Sequence, residues 1–490
     1  MAPKHQSPPS ELRSKLDLRK HLACTVRKLA CAIGLDAAIT FSVGARLWQL
    51  VAATFTVVLM TQFFTGERQG LYYTIVSLLA IQNFLDLGLS GILVLLASHE
   101  WAHVLLLDGK VSGAAEAKGR LAEIYRFGCW WYSRCAVVFL LLTTPIGIMV
   151  LFHGKQEVSA LFAQEWLLPW IICVTLNAIS MLLVPRIAVL EGCNQVVPVN
   201  RMRFLQSVSG SIFIWISIAS GFGLWTLVVS NLVRLVWELK IVYGEYAVML
   251  SELNATPNRN QLNWRKEIWP LQWRLAIQSI CSYFATWFIV PVTFRFHGEI
   301  AAGQIGLTWQ LLTTVQAASL AWLQTRLPRF GALLASQKHR QFELEILRAS
   351  LLSVAVFLGG MMSFFLAVFL AKLAGVDLAG RFIPNSAILF FACGMVGWTL
   401  AMAEQSYVRL FKTDPFLLIS VFASCLVASA IWHFGSTSGS HGLSIAYFII
   451  SWFYAVPVST WILVKHRRKV VLPRLDSTSG RHQVQIKPLP

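Results

Sequence analysis

The chain has 490 residues, 56% of them hydrophobic and 13% charged, with mean hydropathy +0.62, against roughly 25% charged residues in an ordinary soluble domain. Water is excluded as its main solvent. The formal charge of +18 would suit a nucleic-acid binder, but the basic residues lie between apolar runs rather than along one soluble face, so they read as topology signals and exclude nucleic acid as a partner.

Residues 1–37 form a basic arm holding Lys4, Arg13, Lys15, Arg19, Lys20, Arg27 and Lys28. Leu12, Leu16, Leu22, Val26 and Leu29 fall near helical spacing within it, the pattern of an interfacial helix on anionic lipid; a solvated arm is the alternative. The arm lacks the short apolar core and cleavage site of a signal peptide. Apolar spans of membrane-crossing length follow near 39–64, 71–97, 128–152, 160–184, 204–220 and 222–242, the last two joined by a Gly221-Phe222-Gly223 hinge. After a linker at 251–274, six more lie near 275–293, 304–325, 349–371, 386–408, 415–433 and 442–464. Residues 467–490 read as a basic, disordered tail.

Charge tests the count, because one missed helix would invert every later loop. Of the 41 Lys and Arg, 33 fall on the face that carries both termini, five on the other, and three inside spans. The positive-inside rule then places an even number of helices with both termini in the cytoplasm. The nine cysteines are scattered, with no disulfide or metal-clip spacing. Neither a metal nor another cofactor is expected.

An internal repeat divides the twelve. Gly66-Glu67-Arg68-Gln69-Gly70 follows the first span and Gly298-Glu299-Ile300-Ala301-Ala302-Gly303 the seventh; each second glycine is followed, eight and nine residues on, by a Leu pair, Leu78-Leu79 and Leu311-Leu312. Two six-helix lobes result, helices 1–6 in 38–250 and helices 7–12 in 275–466. Because six is even, the pseudo-twofold axis runs along the membrane normal. The expected fold is all-α.

Thr65 to Ser98, with Gly66-Glu67, Gly70-Leu71-Tyr72 and Asp86-Leu87-Gly88-Leu89-Ser90, resembles the opening of polysaccharide flippases of the multidrug/oligosaccharidyl-lipid/polysaccharide exporter superfamily. Leu190-Glu191-Gly192 resembles a loop of the same family. The chain departs from the family at Val94-Leu95-Leu96, where an Arg is often found. The resemblance implies a V-shaped cavity with alternating access, in a multi-pass protein of the bacterial inner membrane. The implied cargo is an undecaprenyl-diphosphate-linked saccharide, and the implied partners are membrane lipids and other membrane proteins of polysaccharide assembly.

An anionic diphosphate at bilayer depth calls for guanidinium donors. The candidates are Arg46, Arg134 and Arg234 inside spans and Arg274 at the start of the seventh; their alternative is snorkelling to lipid phosphate. Asp86 and Glu404 are the acidic residues most clearly inside spans, open to ion coupling or a structural role. His99-Glu100-Trp101-Ala102-His103 fits the zinc-protease pattern, which needs one helix face and a third ligand that no downstream motif supplies. A multidrug antiporter of the same superfamily and a membrane-embedded saccharide polymerase or ligase are the competing functions. The first wants acidic residues where the first span offers Arg46; the second wants a long outer loop that the chain lacks.

Overall fold

The computed structural model describes residues 37–107, 109–152, 160–257, 263–373, 379–411 and 415–471. The basic arm, its interfacial helix and the tail from Leu472 lie outside these residues. In the N-lobe, α1 (Ala37–Phe63) is followed by a broken second span of α2 (Gly66–Leu79), α3 (Ile81–Leu85) and α4 (Leu89–Trp101). Then come α5 (Ala115–Phe152), α6 (Ala160–Gly192), α7 (Val196–Ala219) and α8 (Trp225–Leu239), with α9 (Ala247–Ala255) in the linker. The C-lobe contains α10 (Trp269–Thr286), α11 (Ile289–Ala335), α12 (His339–Leu373), α13 (Asn385–Arg409), α14 (Leu417–Thr437), α15 (Gly439–Ile450) and α16 (Val456–His466).

Among the described residues nine helices are long and apolar enough to cross a membrane, or ten when the bent pair Gly66–Leu85 and Leu89–Trp101 is one span. One of the nine, Trp264–Gly331, is 68 residues long and holds two crossings. It is broken at Gly298, whose φ of 84° and ψ of −177° belong to a region that glycine alone occupies readily. The twelfth is α8, which is 15 residues long by itself and continues through a π turn to Glu245. The chain is a multi-pass membrane protein, and its described residues hold twelve membrane-crossing segments.

Equivalent helices pack alike in both lobes: α1 on α7, α7 on α8 and α6 on α8, matched by α10 on α14, α14 on α15 and α13 on α15. The most extensive contact between lobes joins α2 to α11, and it is made by the repeat itself. A Cβ on Gly70 would stand 2.0 Å from the Glu299 carbonyl oxygen, and one on Gly303 would stand 2.9 Å from the Gly70 amide nitrogen. The helices therefore cross backbone on backbone, the close approach that small residues permit in lipid. Thr65 accepts from the Arg68 amide at 3.3 Å and starts α2 there. Around the crossing, Gln69 Nε2 donates to the carbonyls of Gly303 (2.9 Å) and Arg381 (3.2 Å), and Arg381 donates to the Thr61 carbonyl (3.2 Å).

The fold is all-α, as expected, and it carries one small hairpin. At the basic end, β1 (Val104–Leu107) and β2 (Lys110–Gly113) form an antiparallel hairpin with Val104 opposite Gly113. Val104 and Val111 are buried in a cluster with Leu121, Leu250 and Leu253, so this short loop still has an apolar face to bury. The hairpin and α5 hold the linker. Glu252 takes the Val111 amide at 2.8 Å and pairs with Lys118, while Arg120 bridges Glu100 (2.9 Å) and Glu267 (2.7 Å). The helix of the expected tail also extends further than the sequence indicates, through a π turn at Arg467–Val471.

Gly70→Ala should force the lobes apart at the crossing and cost about 1–3 kcal/mol, the range for overpacking. It should be read as a lower melting temperature of the detergent-solubilised protein. Gly91→Ala, where an added Cβ meets nothing within 4 Å, should melt like the wild type.

Candidate functional site

A cavity of about 580 Å³ opens inside the N-lobe, in its basic half. α1 contributes Gln49; α4 contributes Ser90, Gly91 and Val94; α6 contributes Glu191; α7 contributes Arg203, Gln206 and Ser207; α8 contributes Arg234 and Glu238. Arg234 Nε donates to Glu238 at 2.9 Å one turn along α8, and Glu238 also accepts from Ser180 of α6. Arg203 pairs with Glu191. Two guanidinium groups thus face one cavity, each held by a carboxylate that leaves other donors free. Charges facing a polar cavity rather than lipid avoid the insertion cost. Trp237 Nε1 donates to Ser209 at 2.8 Å and Trp215 Nε1 to Thr56 at 2.9 Å, fixing α8 and α1 to α7.

Of the residues singled out in the sequence, Arg234 lines this cavity. Arg46 lies between the lobes, where it donates to Gln324 Oε1 of α11 at 2.8 Å. Arg134 is exposed over the Trp130 ring, 3.6 Å from its centroid, and Arg274 is exposed 5.5 Å from that of Trp273; neither lines the cavity. Asp86 accepts from Ser90 at 2.8 Å and from Tyr132, at the break where Leu87 and Gly88 take positive φ values of 49° and 70°. It ties the broken span to α5. Glu404 of α13 accepts from Ser459 and, at 2.8 Å, from Thr460 of α16.

The zinc-protease pattern is not displayed on one helix face, because α4 ends at Trp101 and His103 lies beyond it. Glu100 is engaged by Arg120. Among the described residues, no three His, Cys, Asp or Glu side chains are grouped to hold a metal ion.

Three cavity residues escaped the sequence reading. Arg203 sits one residue before the span start expected at 204, so it counts there as a loop charge, yet α7 begins at Val196. Glu191 is visible only in the Leu190-Glu191-Gly192 resemblance. The Arg234 to Glu238 spacing of four was a legible signal for a helical pair.

No protein-family model matches this sequence, and no curated protein does. Solved structures do. Lipid II flippase MurJ in an inward closed conformation aligns with a TM-score of 0.62 at 12% identity, over 92% of this chain and 94% of that one. An inward-facing multidrug resistance MATE family transporter of the MOP superfamily gives 0.60 at 13% identity, over 89% and 96%. A MOP superfamily transporter from Pyrococcus furiosus gives 0.56 at 14%, over 87% and 93%. The fold is that of the MOP superfamily transporters. This agrees with the superfamily resemblance carried by Gly66 to Ser90, and the proteins that share the MOP fold here are transporters and flippases rather than enzymes.

In this MOP fold two carboxylates within spans, Glu238 and Glu404, are paired across equivalent helices with roles exchanged. Ser180 of α6 donates to Glu238 of α8, whereas Ser459 of α16 donates to Glu404 of α13. Ser180→Ala and Ser459→Ala should each lower stability by about 1.5–3 kcal/mol, the worth of a hydrogen bond to a charged group. Because the two sites are in different lobes, the double variant should show the sum of the single shifts in melting temperature.

Proposed function

We propose that this chain is a flippase for an undecaprenyl-diphosphate-linked saccharide, moving it from the cytoplasmic to the periplasmic leaflet of the inner membrane for polysaccharide assembly. The observation that carries the reading is the convergence of Arg203 and Arg234 on one cavity. Guanidinium groups bind phosphate oxygens in bidentate fashion. The cavity lies in the basic half, and the positive-inside rule makes that half cytoplasmic, with both termini there. A headgroup entering from the cytoplasmic leaflet meets these arginines first. Glu191 and Glu238 hold the guanidinium groups in place until phosphate oxygens replace them.

Alternating access needs one end closed while the other opens. The glycine crossing closes the outer end, and at the inner end Arg46 and Gln324 join the lobes by an exposed hydrogen bond. Arg46 acts in this reading as a gate between the lobes and as a further cation beside the entry path. Arg134 and Arg274 attract anionic lipid towards the basic face.

The carboxylates in the same cavity favour a second reading, a multidrug antiporter that admits lipophilic cations. The two readings diverge on substitution. In proteoliposomes supplied with a labelled lipid-diphosphate saccharide, Arg203→Gln with Arg234→Gln should cut flipping about 100-fold or more, since each charged hydrogen bond is worth ~1.5–3 kcal/mol. Arg134→Gln should stay within about fivefold of the wild type, its guanidinium being exposed and worth ~1 kcal/mol or less. Flipping unchanged in the double variant, with ethidium transport lost in Glu238→Gln, would establish the antiporter instead.

A further inference from the structure

A second cavity, of about 380 Å³, lies between the lobes, where the broken span faces α10. Its lining includes Asn83, Gln278, Ser279, Ser282, Tyr283 and Trp287, and none of its lining residues is charged. Among the described residues, the side chains of Asn83, Gln278, Ser279 and Ser282 carry no hydrogen bond to the rest of the chain. Asn83 stands near the middle of the second span, at a depth where lipid offers polar groups no partner. Four unpaired amides and hydroxyls there are accounted for by water or by a cargo that hydrogen-bonds.

The aromatic wall narrows the choice. Tyr283 is buried with its hydroxyl directed at the Ser77 carbonyl, 3.4 Å away, and its ring packed on Phe84. Neutral amides and hydroxyls beside indole and phenol rings fit a sugar, whose hydroxyls take the hydrogen bonds while its C–H face lies on the rings. A lipophilic cation would find no carboxylate here. The cavity is also next to the cationic one: Gly88 lines the former and Ser90 and Gly91 the latter, within one helical turn of each other. Gly88 is needed for the approach, since a Cβ on it would lie 2.5 Å from that of Leu275.

We propose that this interlobe cavity is a saccharide subsite, with Asn83 and Gln278 as hydrogen-bonding residues and Trp287 as the stacking surface. Its natural occupant, the sugar of a lipid-linked headgroup, rests on the flippase reading; binding of sugar as such does not.

The test uses the full chain in lipid nanodiscs with two probes. With soluble N-acetylglucosamine, followed by saturation-transfer NMR, the wild type gives a signal. Asn83→Ala with Gln278→Ala weakens binding about tenfold or more, two hydrogen bonds being lost. Trp287→Ala loses the signal and Trp287→Phe keeps most of it. With sugar-free undecaprenyl diphosphate, the Asn83/Gln278 double variant binds like the wild type, while the Arg203/Arg234 double variant does not. No sugar signal from the wild type, an undiminished signal in the Asn83/Gln278 variant, or equal loss of both probes in that variant overturns the subsite. If the wild type fails to bind the sugar-free lipid, the flippase reading falls and the soluble-sugar arm alone decides the subsite.

Discussion

Gly70 and Gly303 meet with no side chain between them, and the relation of the two lobes depends on that contact. In a bilayer the lipid tails are as apolar as leucine, so helices gain nothing by hiding apolar surface from water and associate through close packing and hydrogen bonds. The crossing of α2 on α11 supplies the packing; Gln69 and Arg381 supply the hydrogen bonds. Gly298 is part of the same device. Its backbone breaks the Trp264–Gly331 stretch directly before the crossing, so the seventh and eighth spans are joined without a loop that would separate the helices.

Within each lobe a different constraint operates. Glu238 and Glu404 are carboxylates within spans, near their basic ends, and each is held by a hydroxyl from a neighbouring helix. The two lobes solve the problem on equivalent helix pairs with donor and acceptor exchanged, so the pin survives although the residues do not repeat. What differs is the company. Glu238 has Arg234 one turn away and opens on a cavity with Arg203, whereas Glu404 is met by Ser459 and Thr460. The pseudo-twofold therefore governs the scaffold, and charge breaks the symmetry in the N-lobe.

The broken second span joins the two cavities. Asp86 is fixed by Ser90 and Tyr132, and the positive φ values of Leu87 and Gly88 redirect the chain so that one side faces α10 and the other faces α6 and α7. An unbroken helix through this segment could not offer Gly88 to one cavity and Ser90 with Gly91 to the other at such close range to α10. A charged cavity and a neutral one are thus separated by a single helix start.

Solvent and geometry divide what was legible. Hydropathy and the charge bias determine twelve helices and their even parity, because lipid leaves the backbone no partner but its own helix and because basic loops resist translocation. The Gly66–Gly70 and Gly298–Gly303 repeat was legible as well, since close packing admits little besides glycine. Arg234 was legible by its depth in a span. Arg203 was not, because hydropathy sees a charge near a span end as loop, and helix α7 starts a full two turns before it by packing on α1. The hairpin at Val104–Gly113, the helix end at Trp101 that takes His103 off the face of His99, and the hydroxyl partners of Glu238 and Glu404 were decided by tertiary structure alone. Each depends on which helix stands opposite, and sequence spacing reports neighbours along a helix but not across the gap between two.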